Sequence, residues 1–250
     1  MSEKIQKVLA QFGFGSRREI ERWISAGRIH LKGQLAKLGD RMELTDPITL
    51  DKKMLFLKAE DRPEHKVLMY YKPEGEVCTQ KDPENRPTVF ENLPRLRNAR
   101  WIMVGRLDYN TSGLLLFTTD GELANALMHP KSEMEREYAV RIFGTLSASQ
   151  IETLKKGIQL EDGPAKFKTV LEQGGEGQNH WYHVVIMEGR NREIRRMFDY
   201  FDITVSRLLR VRFGPISLPP ELSRGKRREL LPMEMKALYE AAGLKKAMVH

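Results

Sequence analysis

One carboxylate in a glycine-bounded loop is the first group in this sequence that could carry chemistry. Asp108 lies in the loop GRLDYNTSG at residues 105–113, directly before the apolar run at residues 114–117. A polar loop that runs into a buried strand can present a carboxylate in a cleft, where it can act as a nucleophile or stabilise a developing positive charge. The ordinary alternative is that Asp108 only forms a turn, since aspartate is common in turns.

Other interpretations of this loop, and of the nearby ligand-type residues, require features that the sequence lacks. A calcium-binding loop needs a glutamate at its twelfth position, where Thr119 stands, and a phosphate-binding P-loop needs Gly-Lys-Ser/Thr. His180 and His183 are an odd number of residues apart in a predicted strand, so they face opposite sides of it. The single cysteine, Cys78, excludes an internal disulfide and a cysteine-based zinc site. We therefore predict no metal site.

A second candidate region is rich in arginine. Seven arginines and only three acidic residues lie between Arg190 and Arg212. A helix that begins near Asn191 would place four apolar residues on one face: Ile194, Met197, Phe198 and Phe201. At about 100° per residue, Arg195 lies nearest the edge of that stripe, so its side chain can point into a cleft. This concentration of arginine predicts a surface that contacts RNA.

The N-terminal residues predict two short helices followed by a strand. Four apolar residues have the spacing of one buried helix face, namely Ile5, Val8, Leu9 and Phe12, and the sequence Gly-Phe-Gly at residues 13–15 ends that helix. Ser16 and Glu19 form a Ser-x-x-Glu capping box that starts the second helix. The buried face of the second helix is predicted to contain Ile20, Trp23 and Ile24.

Basic side chains accompany these helices and predict a polyanionic partner. Arginines stand at the start of the second helix, where free amides and the helix dipole already favour a phosphate. The candidate RNA-binding residues here are Lys4, Lys7, Ser16, Arg17, Arg18, Arg22 and Arg28. The same charges could form a solvated surface or part of a helix-turn-helix DNA-binding module. Groove reading is disfavoured because the exposed face of the second helix carries Glu19, Glu21 and Ser25.

Composition and charge place these regions in a folded, two-domain chain. The 250 residues are 40% hydrophobic with a net charge of +8, which excludes a disordered or collagen-like chain. Residues 1–60 hold 12 basic and 8 acidic side chains, half of the net charge. We predict a small module at 1–60, a polar linker at 61–66 and a second domain at 67–250. Strands and helices mix without a regular βαβ rhythm, which favours the α+β class.

Five sequence blocks resemble known families. Residues 3–33, EKIQKVLAQFGFGSRREIERWISAGRIHLKG, resemble the S4 RNA-binding domain. Residues 105–130, 136–140 and 188–198 read GRLDYNTSGLLLFTTDGELANALMHP, REYAV and EGRNREIRRMF, and they resemble the ribosomal-RNA pseudouridine synthases that carry such a domain. Residues 70–94, YYKPEGEVCTQKDPENRPTVFENLP, are most similar to the large-subunit members. The resemblance implies a small α/β S4 module and a catalytic domain with a mixed, mainly antiparallel sheet.

The resemblance also implies a reaction and the residues that carry it. The reaction would isomerise a flipped-out uridine of 23S rRNA, in a stem-loop of the peptidyl transferase region, with neither metal nor organic cofactor. Asp108 is the implied catalytic carboxylate and Arg195 its cationic partner. Tyr138 would stack on the uracil and Leu208 would pack on its other side. Arg136 stands where the family often has lysine, so the charge is kept.

The remaining expectations concern partners and alternatives. Further RNA contacts are predicted at Arg106, Arg190, Arg192, Arg196 and Arg210. The lack of a long apolar run or a signal sequence predicts a cytoplasmic protein, which we expect to be a monomer without membrane contact. A different class of function is a non-catalytic RNA-binding or ribosome-assembly factor. The intact set Asp108, Tyr138, Arg195 and Leu208 argues against that alternative.

Overall fold

The computed structural model describes residues 2–61 and 63–244, and the chain divides into two compact units. The first unit comprises Met1–Lys66, Pro94–Ile102 and Thr118–Gly121, and the second comprises Val67–Leu93, Met103–Phe117 and Glu122–His250. The presence of residues 94–102 and 118–121 in the first unit differs from the contiguous domains that the sequence suggests. Among the described residues, no helix is long and apolar enough to cross a membrane.

The first unit packs two helices against short strands. Over its described residues, its elements are β1 (Glu3–Lys4), α1 (Ile5–Gln11), α2 (Arg17–Ser25), β2 (Ile29–Leu31), β3 (Gln34–Leu35), β4 (Arg41–Met42), β5 (Ile48–Leu50) and β6 (Lys53–Leu55). The strands pair in the order β3-β2-β5-β6, and β1 pairs with β4. The core contains the predicted apolar faces of both helices, with Ile5, Leu9 and Ile20 fully buried.

The start of α2 follows directly from its sequence. The Ser16 hydroxyl accepts a hydrogen bond from the Glu19 amide at 3.1 Å, and the Ser16 amide donates to the Glu19 carboxylate at 2.8 Å. The predicted capping box is therefore confirmed, and it satisfies two amides that a helix start would otherwise leave unpaired. The bond from the Ser16 amide to the carboxylate is the main reason that the pKa of Glu19 lies below its ordinary value, and the Ser16 side chain adds to this effect.

The remaining elements lie wholly or mostly in the second unit. The strands there are β7 (Val67–Lys72), β8 (Ile102–Val104), β9 (Ser112–Thr118), β10 (Arg136–Phe143), β11 (Ile158–Leu160), β12 (Gly163–Ala165), β13 (Thr169–Glu176), β14 (Asn179–Ile186), β15 (Val205–Phe213), β16 (Ile216–Ser217) and β17 (Arg227–Glu229). The helices are α3 (Gly121–Met128), α4 (Ala148–Lys156), α5 (Glu193–Asp199) and α6 (Pro232–Ala241), with a single 3-10 turn at Pro130–Ser132. A further 3-10 turn, at Ala59–Asp61, belongs to the first unit.

One large sheet organises the second unit. Its strand order is β13-β14-β10-β15-β9-β7-β17, with β16 beside β15 and β8 beside β9. β10 runs antiparallel to both β14 and β15, whereas β15 and β9 are parallel. All seven residues of β9 are buried, because the strand lies inside the sheet and both of its faces are covered. The predicted α+β class with a mixed, mainly antiparallel sheet is confirmed.

Two elements differ from the sequence prediction. α5 begins at Glu193 rather than near Asn191, because Arg192 adopts a left-handed backbone conformation with φ of 47°. The strand β15 was not predicted, since arginines at positions 207, 210 and 212 hide its apolar pattern. β15 nevertheless lies between β10 and β9 and therefore helps to position the site described below.

Asp82 organises the turn at residues 82–86, and its ionisation makes the stability of the fold depend on pH. Its carboxylate accepts from the backbone amides of Glu84 and Arg86 at 3.2 and 2.9 Å, and from the Arg86 guanidinium at 2.9 and 3.1 Å. The bonds from Arg86 are the main reason that the pKa of Asp82 falls from 3.8 to about 2. Because the folded pKa is the lower one, Asp82 stabilises the fold above pH 3.8, and this contribution is lost as the pH falls through about 2.

We therefore expect Asp82→Asn to lower the melting temperature near neutral pH and to matter less in acid. Circular dichroism of both proteins at several pH values between about 5 and 2.5 measures the difference. The melting-temperature gap should narrow steadily over this range. A gap that stays constant would contradict the assignment of Asp82 as the titrating group.

Candidate active site

A buried lysine holds the loop that carries Asp108. Lys72, the last residue of β7, is fully buried, and its ammonium donates to the backbone oxygens of Pro73, Asp108 and Thr111 at 2.9, 3.2 and 2.9 Å. Burial lowers the pKa of Lys72, and nearby acidic groups, including Asp108, oppose that shift. The cation is therefore hydrogen-bonded to main-chain oxygens directly beneath the loop.

Arg195 holds the same loop from the side of α5. Its guanidinium donates to the backbone oxygen of Asn110 at 2.8 Å and to that of Val205 at 2.7 Å. Burial lowers the pKa of Arg195, the charge of Arg192 lowers it further, and the charge of Asp108 opposes both effects. The described structure has no direct ion pair between Arg195 and Asp108, because the guanidinium donates to backbone carbonyls instead. Arg195 thus influences the carboxylate through its charge and fixes the loop through Asn110.

Further bonds complete the support of this loop. The Gly75 amide donates to the Tyr109 oxygen at 3.0 Å, and the Thr111 amide donates to the Asp108 oxygen at 3.0 Å. The Cys78 thiol sulfur accepts from the Leu107 amide at 3.4 Å. Each carbonyl from Asp108 to Thr111 therefore has a donor within the protein. The Asp108 carboxylate itself has no hydrogen bond or ion pair among the described residues and lines a cavity.

The sheet supplies the opposite wall of the site. Tyr138 of β10 is directly paired with Arg210 of β15, and Leu208 lies two residues from Arg210 on the same face of that strand. Gly113 pairs with Arg210 from the other side. A Cβ atom on Gly113 would lie only 2.3 Å from the Arg210 oxygen, so glycine permits the close approach of β9 and β15.

These elements enclose one cavity of about 110 Å³. The structure brings together in its lining seven residues singled out from the sequence: Arg106, Asp108, Tyr138, Arg190, Arg192, Leu208 and Arg210. Tyr138 and Leu208 are 8% and 4% exposed, so the wall they form is largely protected from solvent. A dry apolar wall opposite a carboxylate suits a planar, weakly polar ligand such as a nucleobase.

The arginines around the cavity divide into two groups. Arg106 and Arg192 are exposed and have no acidic partner among the described residues, so they are available for phosphate groups. The other predicted RNA contacts are already engaged. Arg190 pairs with Glu193, Glu188 and Asp162, and Arg196 binds both oxygens of Asp162 at 2.8 and 2.9 Å. Their guanidinium groups stabilise the fold.

Arg210 also differs from its predicted surface role. It is 1% exposed, its Nε donates to the Leu114 oxygen at 2.8 Å, and its guanidinium lies over the Phe213 ring. Arg210 is therefore buried rather than on the protein surface, and its contact with RNA stays a prediction. The strand β15 places it in the floor of the cavity, beside Tyr138.

The candidates of the first unit show a similar division. Lys4, Arg17, Arg18 and Arg22 are exposed and form no salt bridge among the described residues. The others are engaged within the protein: Lys7 pairs with Glu3, Ser16 caps α2, and Arg28 binds both oxygens of Asp51 and stacks on Trp23. Arg28 is thus held in a structural ion pair.

Sequence reasoning missed two cations of the site. Lys72 ends an apolar run and precedes Pro73, and an isolated lysine in that position is the signal that could have identified it. Arg136 lines the cavity, lies over the Phe213 ring and donates to the backbone oxygens of Met134 and Met187, both at 3.2 Å. Its charge was noted in the sequence, but its place at the cavity was not.

The role of Lys72 can be tested by removing its charge. We expect Lys72→Met to lower kcat by about 10²-fold, because small displacements of a catalytic group cost factors of this size. KM and RNA affinity should change little, since the loss concerns loop position. Lys156→Met, at an exposed lysine in the last turn of α4, is the matched control. A Lys72→Met enzyme that folds and retains normal kcat would contradict this role.

Comparison with known proteins decides the family. Residues 66–200 match the profile of RNA pseudouridylate synthases, and residues 3–48 match the S4 domain. The chain belongs to the RNA pseudouridylate synthases, a family of isomerases. The family and the S4 domain predicted from the sequence blocks are both confirmed.

Individual relatives agree with this assignment. Ribosomal large subunit pseudouridine synthase B of Pseudomonas aeruginosa is 56% identical over 246 residues, which cover 98% of this chain and 64% of that protein. The synthases B of Yersinia pestis and Escherichia coli strain K12 are 59% and 60% identical over 227 residues, covering 90% of this chain and 71% and 78% of theirs. The chain thus spans about two thirds to three quarters of these relatives. Their names confirm the B-type, large-subunit resemblance of residues 70–94.

A solved structure shares the fold. The crystal structure of a pseudouridylate synthase superposes with a TM-score of 0.65 at 24% sequence identity. The match covers 94% of this chain and 99% of that one. The family architecture therefore extends over nearly the whole chain.

Proposed function

We propose that this protein isomerises uridine to pseudouridine in ribosomal RNA, with Asp108 as the catalytic carboxylate. The observation that carries the proposal is the carboxylate itself. It lines a protected cavity without a partner among the described residues, while the carbonyls of residues 108–111 each have a donor. A charged group that is fixed in position and unpaired is ready to interact with a reacting centre.

The reaction needs few groups, and the cavity provides them. The C1′–N1 bond breaks, the uracil rotates, a C1′–C5 bond forms, and the proton leaves C5 while N1 gains one. Asp108 can attack as a nucleophile or stabilise the separating sugar as an anion. Tyr138 and Leu208 form the aromatic and apolar wall against which a flipped-out base can lie. Atoms and electrons balance without an external oxidant, and we propose that neither metal nor organic cofactor takes part.

The relatives' names indicate the substrate. Because they are large-subunit synthases, we propose 23S rRNA as the RNA, with the uridine in a stem-loop of the peptidyl transferase region. The exposed and unpaired arginines Arg17, Arg18, Arg22, Arg106 and Arg192 supply phosphate contacts. Since ribosomal RNA is made and assembled there, the proposed location is the cytoplasm, where the protein acts as a monomer.

Release of tritium tests this proposal. Transcripts of 23S rRNA fragments labelled at C5 of uridine lose tritium to water when the C1′–C5 bond forms, and chemical mapping then locates the pseudouridine. We expect stoichiometric release from one fragment and one modified position. Binding without release from any 23S fragment would overturn the enzymatic proposal in favour of an RNA-binding assembly factor. Release from 16S rRNA alone would overturn the choice of RNA.

A further inference from the structure

Residues 94–102 form a separate feature of the first unit, which we call the arginine strap. The strap has the sequence PRLRNARWI and lies within the part of the chain that matches the synthase profile, yet it clusters with the S4 residues. It contains Arg95, Arg97 and Arg100 and no acidic residue. The match to the synthase profile assigns no role to the strap, so we infer one from its contacts and charges.

The strap packs against a glycine of the S4 segment. Gly13 has φ of 79°, and a Cβ atom on it would lie 2.9 Å from both the Ala99 nitrogen and the Asn98 carbonyl carbon. These neighbours are backbone atoms, so no change of rotamer could make room. The Gly-Phe-Gly break between α1 and α2 therefore does more than end a helix, because it lets the strap lie directly against the S4 segment.

The strap is held in one conformation. The Trp101 indole donates to the Pro94 oxygen at 2.9 Å and closes the segment on itself. Arg100 is half-buried beside α2: burial lowers its pKa, the charge of Glu19 opposes that shift, and the charge of Arg17 adds to it. Arg100 is thus close to the start of α2, where Arg17 and Arg18 are exposed. The strap arginines therefore extend the basic surface of that helix.

The strap differs from most arginine clusters of the second unit in its lack of partners. Arg86, Arg190, Arg196, Arg212 and Arg228 each form a salt bridge with a carboxylate. Arg95 and Arg97 are exposed and have none among the described residues. The same is true of Arg17, Arg18 and Arg22. Five exposed guanidinium groups in one unit, none of them in a salt bridge within the described residues, are complementary to closely spaced phosphates.

We propose that the arginine strap and the start of α2 form one composite surface that binds the phosphate backbone of the substrate RNA. The strap contributes Arg95 and Arg97, and α2 contributes Arg17, Arg18 and Arg22. This inference rests on the proposed function for the identity of the RNA. It extends the RNA-binding surface beyond the S4 domain, to residues that the synthase segment of the chain supplies.

Removing the two strap charges tests the surface. For Arg95→Ala/Arg97→Ala we expect the Kd for the 23S fragment to rise about tenfold near 0.1 M salt, and the slope of log Kd against log salt to fall by about two. Tritium release at saturating RNA should keep its kcat, because these residues lie outside the cavity lining. Arg95→Lys/Arg97→Lys keeps the charges and should restore most of the affinity. Lys156→Ala/Lys236→Ala removes two exposed charges elsewhere and should change Kd less than twofold.

The contact between Gly13 and the strap is tested by a matched pair of glycine variants. Gly13 and Gly33 have the same φ of 79°, but a Cβ atom on Gly33 meets no atom within 4 Å. Both alanine variants therefore carry the same backbone cost, and only Gly13→Ala displaces the strap. We expect Gly13→Ala to weaken RNA binding to a degree similar to the double arginine variant, and Gly33→Ala to bind normally. Circular dichroism confirms that each variant is folded.

The outcomes separate this inference from the function on which it rests. If the wild-type protein neither binds the 23S fragment nor releases tritium, the proposed function fails. If it does both and the Arg95→Ala/Arg97→Ala variant binds with unchanged Kd and unchanged salt slope, only the strap inference is overturned. Loss of kcat with unchanged Kd would also overturn it, because the strap would then act on the reaction rather than on docking.

Discussion

Asp108→Asn is expected to lower pseudouridine formation by at least about 10³-fold, the scale seen when a reacting group is removed from an enzyme. Asparagine is nearly the same size and keeps the backbone bonds of Asp108 to Lys72 and Thr111, so the loop should stay in place. The substitution removes the negative charge from the cavity, together with the oxygen that we propose attacks or stabilises the reacting sugar. Single-turnover tritium release measures the rate.

Two controls show whether the loss of activity is specific to the Asp108 carboxylate. RNA affinity should change less than twofold, because the phosphate contacts that we propose involve arginines such as Arg106 and Arg192, which form no salt bridge among the described residues, and not the carboxylate. Asp61→Asn, at an exposed carboxylate outside the cavity lining, should keep full activity. An Asp108→Asn protein with more than about a tenth of wild-type activity would rule out the assigned role.

Gly113→Ala is expected to destabilise the protein by about 4 kcal/mol or more, the range reached when a substitution forces atoms into occupied space. The new Cβ would lie 2.3 Å from the Arg210 oxygen and 2.5 Å from its nitrogen. These atoms belong to the paired strand β15, so relief requires β9 and β15 to separate. The φ of 112° at Gly113 adds strain for any residue with a side chain.

Gly105→Ala separates the clash from the backbone strain. Gly105 has φ of 76°, and a Cβ atom on it meets no atom within 4 Å. Gly105→Ala should therefore lower the free energy of unfolding by only about 1 kcal/mol. Urea unfolding of both variants gives the two free energies. Values for Gly113→Ala and Gly105→Ala within about 1 kcal/mol of each other would show that the strands can adapt, contrary to the dense packing of protein interiors.

Local sequence patterns predicted local structure well and long-range contacts less well. The capping box of α2 and the buried faces of both N-terminal helices follow from residues a few positions apart, and all were found. β15 was not predicted because arginine is usually exposed, whereas Arg210 is buried in this strand. Its guanidinium donates to the Leu114 oxygen and lies over the Phe213 ring. The Leu114 oxygen belongs to the neighbouring strand β9, which local sequence cannot place beside β15.

The site shows the same limit. Asp108, Tyr138 and Leu208 line one cavity, as the family motifs indicate. Arg195 was expected to pair with the carboxylate, but it donates to backbone oxygens, and backbone acceptors cannot be recognised from residue types. The arginine strap was not predicted either, because residues 94–102 meet Gly13 across more than eighty positions of sequence.

The two buried cations under the catalytic loop have a consequence for the reaction cycle. Lys72 and Arg195 bind main-chain oxygens of the loop rather than the carboxylate of Asp108. Had either cation been anchored by an ion pair with Asp108, the anchor would weaken whenever the carboxylate lost its charge in a covalent adduct. Carbonyl anchors are independent of that charge. In the reaction that we propose, the loop can therefore keep one geometry from free enzyme through intermediate to product.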